Sequence, residues 1–457
     1  MLNRKNIMKM KLYKIILATA ITLLILNPLK AQEAWSLRDC IKYAIDHNIT
    51  VKRQELSAEI AEKNYFQSKM ELLPNINASG NHYYNSGKAI NYDTYTYENQ
   101  DFQGGSLSLT SEMEIFKGLT KYNNIKSNHF TFLAQLQNTE KAKNDITLNI
   151  TTAYLQILLN KELVDNADEQ LQVTLEQIDK TKKLVEIGNA AKGDLLQIEA
   201  QAAAEKAELT NKRNNLEIAY LDLTQLLNLE SVDGFKIEFP KIPDITQETD
   251  KNSAADIYNN ALEILPEIKS AEYQVKSSEK DLNASYGGLS PSIYIGYQYQ
   301  SRYNEIAQNI NDPTNNYPYI DQINDNASQA IYMAIRIPIF NRWRTKTSID
   351  QAKINLADSK LNLDLQKQNI YKNIQQAQAQ ASAAQDRYKA NLESAQSMEE
   401  AFRYTEQKYE VGMVDIIEYK TAKNEYNLAK SNVSQAKYEY IFRKKILEFY
   451  KGEQIEL

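Results

Sequence analysis

Two apolar periodicities run through this chain, and each occurs twice. Ile150, Ile157, Val164, Leu171, Ile178 and Val185 recur every seventh residue. The positions 224 further on, Ile374, Ala381, Tyr388, Ala395, Phe402 and Tyr409, are all apolar, aromatic or small. After Gly188 the pattern resumes as Leu195, Ala202, Leu209, Leu216 and Leu223, and after Gly412 as Tyr419, Tyr426, Val433, Tyr440 and Leu447. A sustained heptad on both sides of a glycine predicts two helical hairpins packed as coiled coils. Each leading leg, from about residue 118 or 342 to its glycine, would hold roughly 70 residues and reach on the order of 100 Å. The second seam leans on Tyr and Ala, and Gln375–Ala384 is nearly all small or amide. Such a helix buries little per turn and suits a wide, partly solvated assembly better than a dry bundle.

The other periodicity is two. Leu107, Leu109, Met113 and Ile115 alternate with Ser106, Ser108, Thr110, Glu112 and Glu114, and Ile331, Met333, Ile335, Ile337 and Ile339 with Tyr332, Ala334, Arg336 and Pro338. Ile293, Ile295, Tyr297 and Tyr299 alternate in the same way, and a weaker segment precedes Tyr84. These predict half-apolar strands near 75–84, 106–115, 292–303 and 330–339. Strands of about ten residues with one apolar face are what an outer-membrane barrel requires. An ordinary sheet with one wet face has the same pattern, but the strands and their loops are crowded with tyrosines, as interfacial segments are. Loops Gly87–Asp101 and Asn304–Asn326 are rich in Asn, Asp and Tyr. Four strands cannot close a barrel, so bare edges in lipid would force oligomerisation.

The two halves are copies. Leu73-Pro74-Asn75-Ile76 recurs as Ser290-Pro291-Ser292-Ile293, 217 positions on, while Ile115-Phe116 and Val185-Glu186-Ile187-Gly188 recur 224 positions on as Ile339-Phe340 and Tyr409-Glu410-Val411-Gly412. The expected organisation is a first repeat at 32–239 (helix, two strands, long helical hairpin), a linker at 240–265 and a second repeat at 266–457.

Composition narrows the setting. Five basic residues precede the apolar run Ile15–Leu26, and Leu29-Lys30-Ala31 follows Pro28, so 1–31 reads as a secretory signal peptide. The run is too short to span a membrane as a helix. Without that segment the formal charge moves from −6 to about −12, which does not suit a nucleic-acid binder. Cys40 is the sole cysteine, so no intrachain disulfide exists, and it reads as a buried small hydrophobe. His47, His82 and His129 are scattered without metal-ligand spacing, and no nucleophile, phosphate-loop or cofactor motif is present. The reading is a protein that is not an enzyme and takes no cofactor or metal.

The signal peptide, the two copies of helix, strand, strand and long hairpin, and the tip glycines together resemble the TolC family of outer-membrane efflux proteins. The resemblance covers nearly the whole mature chain, from Ala34-Trp35-Ser36-Leu37 to Gly452. Its most specific pieces are Ile337-Pro338-Ile339-Phe340, with Pro338 and Phe340 in the strand-to-helix element that Phe116 matches in the first repeat, and the tip motifs Glu186-Ile187-Gly188 and Glu410-Val411-Gly412. The resemblance implies a mostly helical α+β fold. In it, a homotrimer pools four strands per protomer into a transmembrane β-barrel in outer-membrane lipid and continues as a long periplasmic α-helical barrel. It implies passive conduction of small molecules after docking with a periplasmic adaptor and an inner-membrane pump. It also implies that Gly188, Asn189, Gly412 and Met413 meet the adaptor, and that Asp194, Tyr409 and Glu418 stand at the gate. Val414 and Thr421 depart from the family's gate pattern, which leaves Asp415 or Glu410 to supply contacts there. Carboxylates converging on a pore axis would favour cations and allow divalent block, whereas solvated helix-end charges would explain the same acids. Export of proteins by a type I secretion system uses the same tunnel, and an exported coiled-coil surface protein would account for the heptads but not for the duplicated strands.

Overall fold

The computed structural model describes residues 34–91, 95–99, 101–240, 253–309 and 312–456. The expected signal peptide and the first part of the expected linker lie outside the described residues. In each repeat two short helices come first: α1 (Leu37–His47) and α2 (Ile49–Met70) in the first, α5 (Ala254–Ile264) and α6 (Pro266–Tyr286) in the second. Helix α5 occupies the later part of the segment expected as a linker, at the place α1 holds in the first repeat. Ser36 and Ser253 start them with the same capping box, each accepting from the N–H three residues on while Asp39 or Asp256 answers to the cap's own N–H.

The long hairpins follow. Helix α3 (Thr120–Glu186) and helix α8 (Arg344–Glu410) have 67 residues each, and their return legs α4 (Lys192–Leu227) and α9 (Ile416–Lys451) have 36 each. At 1.5 Å per residue the leading legs are about 100 Å long. The seams are buried as their chemistry dictates. Ile150, Ile157, Val164 and Leu171 sink into the packing, whereas Tyr388, Ala395 and Phe402 of the second seam stay half-exposed. Equivalent cores anchor the lead-in helices. Leu37, Cys40 and Ala44 of α1 pack with Ile150 and Ile157 of α3, and Ile257 and Ala261 of α5 pack with Ile374 and Ala381 of α8. Ile150 and Ile374, 224 residues apart, are both 0% exposed. Burial pushes the Cys40 thiol up to about 12.

The four long strands form one antiparallel sheet in the order β1-β4-β5-β8: β1 (Asn75–Asn85), β4 (Phe102–Lys117), β5 (Ser292–Asn304) and β8 (Ser328–Arg336). The loops between them carry two small hairpins, β2 (Lys88–Asn91) with β3 (Thr96–Asn99) and β6 (Gln308–Asn309) with β7 (Asp312–Asn316), and a helix, α7 (Tyr319–Asp325). Register assigns the two faces. Ala78 faces Leu109, Leu109 faces Tyr299, and Ile295 faces Met333, giving one apolar side. On the opposite side Ser79 bonds Ser108 at 2.7 Å, the Asn81 side chain accepts from Ser106, and Tyr332 Oη reaches Glu112 at 3.3 Å. Strand β8 is exposed along its whole length. It ends at Arg336, short of the expected 339, because Pro338 has no N–H to give the ladder.

Candidate functional site

The hairpin tips gather most of the residues singled out from sequence. Both leading legs end in a Schellman turn. Gly188 N–H donates to Val185 and Asn189 N–H to Leu184, while Gly412 donates to Tyr409 and Met413 to Lys408, over 2.8–3.1 Å. This turn needs a left-handed residue, and Gly188 and Gly412 sit at φ +81° and +77°. A Cβ built on either glycine would meet nothing within 4 Å, so backbone conformation alone selects glycine there.

Just behind the turns all four long helices meet. Ile198 of α4 and Ile416 and Tyr419 of α9 form a buried cluster against Ile178 of α3 and Phe402 and Tyr409 of α8. The Tyr409 and Tyr419 rings stack at 4.8 Å, and Phe402 lies 5.6 Å from Tyr419. Burial raises the Tyr409 phenol above its ordinary value, and the charge of Asp194 adds to the shift, so the structure brings those two gate candidates together. Asp194 and Glu418 are equivalent residues, each in the first turn of its return leg. They differ in setting, since Asp194 is half-buried beside the tyrosine and Glu418 is exposed. Asp415 is the N-cap of α9, its carboxylate accepting from the N–H of Ile417 at 3.0 Å and of Glu418 at 2.9 Å. That is a helix-end task, and Ala191 at the equivalent place in α4 has no such cap.

At the other end of the helices, Phe116 and Phe340 flank the strand-to-helix turns, with Phe340 75% exposed. Each leading leg is preceded by a left-handed residue, Leu119 at φ +63° and Trp343 at φ +62°, so chain direction changes sharply at the boundary between sheet and helices.

The heptads did not disclose a polar ladder between the hairpins. Lys437 of α9 pairs with Glu162 of α3 at 3.1 Å, and Lys430 with Glu169 at 2.6 Å. One heptad nearer the tip, Lys423 and Glu205 of α4 are 3.6 Å apart and both 6% exposed. Glu205 also accepts from Gln170 at 3.0 Å, from Gln201 at 2.8 Å and from Thr174, whose hydroxyl accepts in turn from Lys423. Burial lowers the Lys423 ammonium's pKa, while Glu205 pulls the other way. Burial would raise Glu162, but Ser434, Lys437 and Tyr438 outweigh it and hold that carboxyl below its ordinary range. The signal in the sequence was the seven-residue spacing of the three lysines and of the two α3 glutamates. Among the described residues no group of three or more His, Cys, Asp or Glu is placed to hold a metal ion, and no helix is long and apolar enough to cross a membrane.

The family model described as "Outer membrane efflux protein" matches residues 40–229 and 257–450, one match for each repeat. The outer membrane efflux protein BepC of Brucella suis is 20% identical over 93% of this chain and 87% of its own length. The cation efflux system protein CusC of Escherichia coli K12 is 20% identical over 84% of this chain and 79% of its own. Among solved structures, the CmeC outer membrane channel of Campylobacter jejuni superposes with a TM-score of 0.77 at 16% identity, covering 93% of this chain and 87% of that one.

Proposed function

The chain belongs to the outer membrane efflux protein family, and on that premise we propose that three copies pool their sheets into one closed barrel and their hairpins into one periplasmic tunnel. A periplasmic adaptor and an inner-membrane pump load this exit duct with small molecules. The observation that carries the reading is the sheet. It has an apolar face fit for lipid, a polar face fit for a water-filled lumen, and an open edge on each side at β1 and β8. In lipid those edges would leave backbone groups unpaired, and joining β8 of one copy to β1 of the next satisfies them.

The tip is the gate in this reading. Tyr409 and Asp194 tie the two hairpins of one copy together, and the exposed Glu418 of each copy faces the shared axis, where three carboxylates attract cations. Gly188, Asn189, Gly412 and Met413, at the extreme ends of the hairpins, form the surface the adaptor meets. Conduction itself consumes nothing in the channel, so the energy comes from the pump.

The test is conductance of the purified trimer in a planar bilayer, with a divalent cation added on the side of the helical tips and with Glu418→Ala in parallel. A cation-selective pore blocked by the divalent ion, and freed from block in the variant, is the expected result. A pore indifferent to Glu418→Ala moves the selective ring elsewhere, and a folded trimer that does not conduct overturns the channel reading.

A further inference from the structure

We propose that Lys423, Lys430 and Lys437 of α9, with Glu205, Glu169 and Glu162 of the first hairpin, form a register rail that fixes where the second hairpin sits along the first. They are thus positioning residues for the tip. The inference rests on the gate reading above and adds the element that sets the gate's closed position.

The geometry is that of a rail. Helices α3 and α9 run antiparallel, and moving seven residues back along α9, from Lys437 to Lys430, moves the partner seven residues forward along α3, from Glu162 to Glu169. A seven-residue step is about 10.5 Å of helix. The lysines follow the seam residues Tyr419, Tyr426 and Val433 by four, the flanking position at which coiled coils set partner and register by charge. Near the tip the rail changes character. Lys423 still donates to the Gln170 carbonyl and to Thr174 of α3, but its carboxylate partner lies on α4, where Glu205 stands three residues after the buried seam residue Ala202 and four before Leu209. An acid there is a charge in a position that packing would give to an apolar side chain.

The two kinds of rung do different things. Lys430–Glu169 is largely exposed, and such pairs contribute little to stability. Lys423–Glu205 is buried, and a pair of that kind is frequently replaceable by apolar residues without loss of stability. What an apolar pair cannot do is choose one register, because sliding it costs no unpaired charge. Sliding α9 by one turn would strand Glu205 among Thr174, Gln170 and Gln201 with its cation displaced. Tyr419, one turn from Lys423, packs in the tip cluster with Ile198 of α4, so the register of α9 along the first hairpin sets whether that contact forms.

The experiment uses the full chain as its trimer. The double variant Lys423→Met with Glu205→Leu replaces the buried rung by apolar groups, and Lys430→Glu alone and with Glu169→Lys reverses the outer one. Spin labels at the exposed positions 172 and 425, in a Cys40→Ala background with labelled chains diluted into unlabelled ones, report the α3–α9 register directly. Heat resistance of the trimer and leak conductance without adaptor are read in parallel.

The expected result for the double variant is unchanged heat resistance, a broadened label distance, and a leak raised about tenfold, equivalent to about 1.4 kcal/mol between the two hairpin positions. Lys430→Glu should broaden the distance as well, and adding Glu169→Lys should restore it. A distance that stays sharp in the double variant overturns the rail, whatever the leak does. A broadened distance with unchanged leak leaves the rail standing and overturns the gate reading instead. Loss of heat resistance together with the change in distance would make the rung a fold element and overturn its role as a positioning device, an assignment for which charge-swap rescue at 430 and 169 is the second check.

Discussion

Replacing Gly412 by alanine isolates what the tip turn requires. The residue sits at φ +77°, and an added Cβ would meet no atom within 4 Å, so the substitution introduces no clash. Its cost is the backbone penalty of an L-residue in the left-handed region, about 1 kcal/mol. Two hydrogen bonds depend on that conformation, Gly412 to Tyr409 at 3.0 Å and Met413 to Lys408 at 2.8 Å. A penalty of this size should raise the open population of the turn about fivefold. Amide hydrogen exchange of the segment 408–418, followed by mass spectrometry on the detergent-solubilised assembly, should therefore quicken about fivefold, while the segment around the fully buried Ile374 keeps its protection. Gly412→Asn should fall between wild type and Gly412→Ala, because asparagine tolerates the left-handed region better than other side chains. Gly188→Ala should match Gly412→Ala, since its φ of +81° and open surroundings are the same. If alanine exchanges like wild type, or if asparagine is worse than alanine, the turn is not selected by conformation and the reasoning fails.

Two more outcomes follow from contacts already described. Glu162 titrates below its ordinary value in the folded chain, so its stabilisation is complete above that ordinary value and is lost as pH falls through the folded one. Heat resistance followed from neutral pH to about pH 3 should therefore separate wild type from Glu162→Gln at the neutral end and bring them together at the acid end. In the sheet, a Cβ on Gly296 would lie 2.3 Å from Cζ of Tyr332, forcing the ring away and breaking its contact with Glu112. Gly296→Ala should lower the yield of heat-resistant assembly on a gel, and Gly296→Ala with Tyr332→Ala should recover part of it.

How much of this was readable beforehand depends on which signal each feature used. The hairpins were legible because apolar seams repeat every seventh residue and the two tip glycines interrupt them at equivalent places. The strands were legible because one face of each is apolar, whereas their pairing and register came only with the structure. Strand β8 stops earlier than its alternation suggests, since Ile337 and Ile339 continue the apolar rhythm while Pro338 cannot pair. Helix α7 was invisible within a loop rich in Asn and Tyr, where seven residues give too short a window for periodicity. Glu205 and Lys423 were missed for a different reason. A charged residue on a helix normally reads as a solvated face, and nothing in one helix's own pattern says that a second hairpin will cover it. For Asp415 the sequence left two readings open, a gate contact and a helix-end charge, and its bonds to the N–H groups of Ile417 and Glu418 are those of a helix-end cap.

The open edges of the sheet have a consequence for supply. In a three-chain assembly the barrel exists only as a product of association, so a lone chain has no finished membrane form to fall back on. While free chains predominate, the abundance of such a product follows a high power of chain concentration. Halving synthesis would then remove far more than half of the ducts, and a chain with one damaged edge, paired into a trimer with two sound ones, would disable all three.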